Sequence, residues 1–247
     1  MAQLYKKPPI TEAIIQVAVK TPLSDDLLDK IHKRLLEDYP SLVQRVMASE
    51  FEIEVTDAGP RIKQPTPGYK LTGSDGASAV IVFSKAITTS RLAPYEGWET
   101  FCGRARQNWE VWKRLAGWHE ITRVGVRYIN RIDIPLREAG EPVDLEGYLT
   151  VSPTMPPNVG LSPMSHFAVN AQAALGKDNC KLRLNVGSAP SPLVQAASFI
   201  LDIDVVLDAG LPQNDDALWA QINRMREHKN TIFEASITDK TRNLFSS

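Results

Sequence analysis

Cysteine is nearly absent. Cys102 and Cys180 are the only two in 247 residues, far apart and outside C-x-x-C spacing. That argues against a disulfide framework and against a structural zinc site, and it fits a reducing cytoplasm. An excess of either charge is also missing. The net charge is −1, so no global basic field draws in nucleic acid, and such binding would need a local patch. No apolar run approaches the ~18–20 residues that span a membrane. The start, M-A-Q-L-Y-K-K-P-P-I, lacks the apolar centre of a signal peptide. The expectation is a soluble, cytoplasmic protein with no membrane partner. The four histidines, His32, His119, His166 and His228, show neither H-x-x-x-H nor H-E-x-x-H spacing, so a metal site has no local support. G-x-S-x-G, G-x-x-x-x-G-K-[ST] and G-x-G-x-x-G do not occur, which removes sequence support for a nucleophile elbow, a P-loop and a dinucleotide fingerprint. The expectation is a protein that is not an enzyme, with no catalytic residue, metal or cofactor.

What remains is a pattern of alternation. Ala13–Val19 reads as a strand with Ala13, Ile15, Val17 and Val19 on one side. Ser24-Asp25-Asp26 opens a helix with an N-cap and an acidic first turn, and Leu27, Leu28, Ile31, Leu35 and Leu36 continue it toward Pro40. Phe51–Val55 is a short strand. Tyr69–Leu71 and Ala79–Phe83 flank S-D-G, a hairpin signal, and Ile87–Leu92 is a further strand. Tyr95–Ala116 reads as a helix with a stripe of Trp98, Phe101, Ala105, Trp109, Trp112 and Leu115, ended by Gly117. After a strand at Glu120–Pro135, residues Pro135–Pro163 form a proline-rich surface excursion with a short helix at Asp144–Leu149. Phe167–Leu175, Cys180–Val186 and Ser198–Leu207 are three more strands, and Asp215–Phe233 is an amphipathic helix. The last dozen residues continue as helix or tail.

The expected class is α+β: a mostly antiparallel sheet with helices on one face, built by internal duplication of a β-α-β-β-β-α unit. The whole chain, 1–247, is read as a single domain of two pseudo-equivalent halves, 1–119 and 120–247, the second holding the excursion at 135–165.

The strand E-I-T-R-V-G-V-R-Y-I-N-R-I-D-I-P carries the most information. Period two puts Val124, Val126, Tyr128, Ile132 and Ile134 on one face and Arg123, Arg127 and Arg131 on the other. Lys181, Arg183 and Asn185, then Asp202, Asp204 and Asp208, fall on polar faces of later strands, with Asn170 and Gln172 on another. Such a face is either a cross-strand ion-pair ladder or a surface that grips an anion with forked donors. Asn130 falls by parity on the apolar face, so it either caps a nearby backbone or marks a bulge. Candidate ligand-binding residues are Arg123, Arg127, Asn130, Arg131, Lys181 and Arg183. Glu50, Glu52 and Glu54 alternate on one strand; that pattern suits magnesium or a solvated edge that resists aggregation. The tryptophans at 98, 109, 112 and 118 read as a helix–sheet seam or as stacking platforms for bases.

Several segments together resemble a family. They are Pro8-Pro9-Ile10-x-Glu12-Ala13, Tyr95-x-x-Trp98, R-x-G-x-R-Y-x-N-R-I at Arg123–Ile132, and F-E-x-x-I-T from Phe233 to Thr238. The chain resembles, over nearly its whole length, a family of uncharacterised prokaryotic proteins with a sporadic distribution. The resemblance implies no activity. Its distribution associates it with mobile genes, including defence and toxin–antitoxin systems. The leading expectation is a non-catalytic binding module engaging a protein partner or another copy of itself through sheet edges or the excursion. The alternative is a binder or enzyme for a phosphorylated or nucleotide-like anion at the arginine face. A weaker one is nucleic-acid binding by the basic side of the middle helix, where Arg104, Arg106, Lys113 and Arg114 lie, set against the acidic overall balance.

Overall fold

The computed structural model describes residues 5–48, 53–56, 59–62, 66–138, 141–156 and 166–246. Among them the chain is α+β, with a nine-stranded antiparallel sheet and four α-helices. In chain order the strands are β1 (Ile10–Val19), β2 (Leu42–Ala48), β3 (Ile53–Thr56), β4 (Gly59–Ile62), β5 (Thr66–Thr72), β6 (Ser78–Phe83), β7 (Ala86–Leu92), β8 (Ile121–Pro135), β9 (Ala168–Leu175), β10 (Cys180–Ala189) and β11 (Ala196–Leu207). The helices are α1 (Asp25–Leu35), α2 (Trp98–Ala116), α3 (Asp215–Ser236) and α4 (Asp239–Ser246). The sheet order is β2-β5-β6-β7-β1-β8-β11-β10-β9, and β3 pairs with β4 apart from it.

The chain forms two compact units. One comprises Ile14–Arg91 and Glu96–Arg123. Here alternation sets the strand faces, and Ile15, Val17 and Val19 are buried. Helix α1 starts as its residues dictate: the Ser24 hydroxyl accepts from the Leu27 N–H at 3.4 Å, and Asp25 and Asp26 fill the first turn. Its Leu28, Ile31 and Leu35 are buried. Helix α2 buries Trp98, Phe101, Ala105, Trp109 and Trp112. At Asn108 it reaches Thr89 of β7, the amide Nδ2 donating at 2.9 Å. The helix begins at Trp98 rather than Tyr95, because Gly97 has φ +97, a left-handed conformation that no helical turn uses. Leu115, expected on the buried stripe, is exposed.

The other unit holds residues 1–13, Leu92–Tyr95 and Val124–Ser247. Strands β8, β11, β10 and β9 pair in one-to-one register without a bulge. The side of the sheet bearing Val124, Val126, Tyr128, Ile132, Leu201, Ile203 and Val205 is buried, and α3 lays Leu218, Ile222 and Met225 into this unit's core. Asn214 caps α3, accepting from the Ala217 N–H at 2.9 Å. The Asp144–Leu149 segment is a turn rather than the expected helix, closed by Leu149 N–H to Leu145 O at 2.7 Å. Leu149 is buried and bridges to Ile237, so that part of the proline-rich segment is anchored rather than free surface. Among the described residues the first strand of the second half is thus followed by a turn where the first half has helix α1. Residues 139–140 and 157–165 of the excursion lie outside the described residues. Of the closing dozen residues, Asp239–Ser246 form helix α4.

Candidate functional site

Alternation along β8 holds without interruption from Tyr128 to Ile134: buried Tyr128, Asn130, Ile132 and Ile134 take turns with half-buried Arg127, Ile129, Arg131 and Asp133. Arg123, Arg127 and Arg131 thus point away from the apolar side. The polar side of β8–β11–β10 builds upward from the register. Arg127 stands opposite Asp204, but its fork reaches diagonally to Asp202. Nε donates to Oδ1 at 2.8 Å and Nη2 to Oδ2 at 2.7 Å. Asn185, directly opposite Asp202 on β10, donates to the same carboxylate at 3.0 Å. Asp202 is buried, while the Arg127 side chain is 42 % exposed. The hydrogen bond to Asp202 holds the guanidinium pKa above its ordinary value, against the opposing effect of burial.

The other cations are placed similarly. Arg131 Nε donates to Asp133 at 3.2 Å, and Asp133 also accepts from the Ser198 hydroxyl. Lys181 Nζ lies 2.7 Å from Asp208 Oδ2. Arg183 is exposed, between Asp204 of β11 and Gln172 of β9 in register. Arg127, Arg131, Lys181 and Arg183 are matched by Asp133, Asp202, Asp204 and Asp208 on the same surface. Counted over these side chains, four cations face four carboxylates, and Glu12 adds a further negative charge near Arg127. Arg123 belongs to the other unit, where it donates to Gln16 Oε1 and Gln16 donates to Thr88 Oγ1 at 3.1 Å.

Asn130 does not join the arginines. It is 2 % exposed on the apolar side, and Nδ2 donates to the Leu201 carbonyl across the strand pair at 2.9 Å. Of the two roles its parity allowed, the backbone cap is the one formed, since β8 carries no bulge.

A second polar constellation, in the unit of α1 and α2, is invisible to strand parity. Arg91 is buried and donates to Asp75 and, at 2.8 Å, to Ser78 Oγ, with Glu96 3.7 Å away. Asp75 also accepts from the N–H groups of Ala77 at 3.0 Å and Ser78 at 2.8 Å and from the Ser78 hydroxyl at 2.8 Å. Burial raises its pKa, but these donors outweigh that effect and hold it well below the usual carboxylate range. Glu96 accepts from Arg104. A cavity of about 270 Å³ adjoins the cluster, lined among others by Asp38, Tyr39, Asp75, Arg104 and Asn108. At its floor Asn108 donates to the Tyr39 hydroxyl at 2.8 Å, and burial pushes that phenol up to about 12. The sequence signal was only S-D-G, read as a turn.

Lys229 was also missed. It lies late on α3, where a cation suits the helix dipole, and it is buried, with Nζ 4.0 Å from the Tyr128 ring centroid. Tyr128 and Tyr95 share a 2.9 Å hydrogen bond. Burial, helped by Arg226 and opposed by Glu234, brings the Lys229 amine down to about 7.

Trp98, Trp109 and Trp112 are buried in their unit, and Trp118 is 38 % exposed beyond the helix end. His32 stacks on Tyr69 at 4.1 Å, His119 contacts the carbonyls of Thr21 and Ala116, and His228 lies 2.7 Å from Asp178. Glu50 and Glu52 lie outside the described residues. Among the described residues no group of three or more His, Cys, Asp and Glu side chains could hold a metal ion. No helix there is long and apolar enough to cross a membrane. No protein-family model matches the chain, and no curated protein matches it.

Proposed function

We propose that the chain is a non-catalytic binding module that acts through contact with a protein. The observation that carries this reading is the charge balance of the arginine-bearing face. Its best-placed fork, Arg127, is taken by the buried carboxylate of Asp202 on two hydrogen bonds, and the neighbouring cations face carboxylates of their own. An anion arriving there would have to displace these carboxylates, each of which would then lose its cationic partner. The exposed strand β9, by contrast, offers backbone for pairing. The test is thermal melting of the full chain with inorganic phosphate, ATP and GTP, for wild type and Arg127→Ala. Unchanged melting in every ligand, with Arg127→Ala melting lower, is expected. A concentration-dependent rise that Arg127→Ala abolishes would replace this reading with an anion site.

A further inference from the structure

Strand β9 ends the sheet on its side among the described residues. Natural edges are blunted by lysine, proline, bulges or shortness, because an open row of N–H and C=O groups recruits further strands. β9 has none of these devices. It is eight residues long, its sequence A-V-N-A-Q-A-A-L carries no charge and no proline, and it pairs with β10 one to one. Its two faces differ. Val169, Ala171, Ala173 and Leu175 lie in register with Val186, Leu184, Leu182 and Cys180 of β10, three of which are buried. Yet Ala171 and Ala173 are exposed, and Val169 and Leu175 only half-buried. The apolar face of the sheet thus runs out to an edge that is still partly wet.

We propose that β9 pairs with β9 of a second copy of this chain, antiparallel, about a two-fold axis at Gln172. The proposal rests on reading the chain as a protein-binding module and names its partner. Self-pairing follows from the strand's chemistry. Directly opposite residues of an antiparallel pair point to the same face, so a two-fold axis perpendicular to the sheet must pass through a residue, not between two. An axis at Gln172 sets Val169 against Leu175 of the second copy and Ala171 against Ala173, joining the two apolar rows. On the other face it sets Asn170 against Ala174 and the two Gln172 amides against each other. No charge is desolvated on either side. Eight residues a side is below the ~20–30 of a stable interface, so the dimer is weak and its population follows concentration.

The experiment is sedimentation velocity of the full chain from micromolar to submillimolar concentration, with variants at the exposed Gln172. Wild type is expected to pass from monomer to dimer. Gln172→Lys and Gln172→Glu each place like charges on the axis and are expected to remain monomeric. An equimolar mixture of the two is expected to dimerise again. Gln172→Cys is expected to give a disulfide-linked dimer on oxidation, since Cys102 and Cys180 are buried. Tryptophan fluorescence identical to wild type shows that each variant is folded. Wild type that stays monomeric throughout overturns the proposal. So does a dimer that Gln172→Lys leaves intact and Gln172→Cys does not cross-link. Either result leaves the protein-binding reading standing, because that reading fails only in the phosphate and nucleotide melts.

Discussion

Lys229→Met should stabilise this protein at neutral pH and below. The buried amine falls from its ordinary 10.5 to about 7, a drop worth about 5 kcal/mol at ~1.4 kcal/mol per unit. The sign follows from proton counting. Between pH 7 and 10.5 the unfolded chain holds a proton on this amine that the folded chain does not, so stability rises with pH across that window. The cost of the charged form is fully present below pH 7 and gone above 10.5. Methionine fills much the same volume without charge. It removes the cost but also the ammonium's attraction to the Tyr128 ring, about 1–2 kcal/mol in a desolvated setting. The net expectation at pH 6 is a gain of about 3–4 kcal/mol, shrinking by up to ~1.4 kcal/mol per pH unit above 7. Urea unfolding at pH 6, 7, 8, 9 and 10, followed by tryptophan fluorescence, measures both proteins. The difference between them isolates this amine from every other titrating group. A difference that is flat with pH, or a variant less stable at pH 6, would refute the reasoning.

Two further substitutions probe the buried polar groups. Arg91→Ala removes the buried cation between Asp75 and Glu96, and because Asp75 is 42 % exposed and keeps its Ala77 and Ser78 donors it should cost about 1–3 kcal/mol in urea unfolding, with Arg91→Lys recovering part of it; an effect below about 1 kcal/mol would show the cluster to be dispensable. Asn130→Ala removes the donor to the Leu201 carbonyl and should cost about 1–2 kcal/mol by the same assay, whereas a neutral or stabilising result would mean that this amide is not a cap.

Much of this architecture could be read directly. Strands whose two faces meet different surroundings announce themselves: β1, β8 and β10 each alternate because one face meets the core. β2 was not foreseen. Leu42, Val43, Gln44 and Arg45 are all exposed, so no burial difference imprints a period on the sequence. At Asp144–Leu149 the local helical signal was real, but Leu149 is drawn into a bridge with Ile237, a contact nearly ninety residues away that no local rule encodes. The arginine row was legible for the same reason as β8 itself. Which carboxylate each arginine takes was not, because Arg127 stands opposite Asp204 yet closes on Asp202. The Arg91–Asp75 cluster depends on the β6–β7 register, which puts Arg91 opposite Ser78. The burial of Lys229 leaves no signal in the sequence, because exposure is the ordinary state of a lysine on a helix.

The central claim is that the arginine-bearing face is held by its own carboxylates, and a double-mutant cycle on Arg127→Ala and Asp202→Asn tests it most directly. The pair is half in water on the arginine side, so the coupling free energy should be about 1–3 kcal/mol in urea unfolding at pH 7. A coupling indistinguishable from zero would mean that Asp202 does not hold Arg127, and the guanidinium would then be open to an anionic ligand.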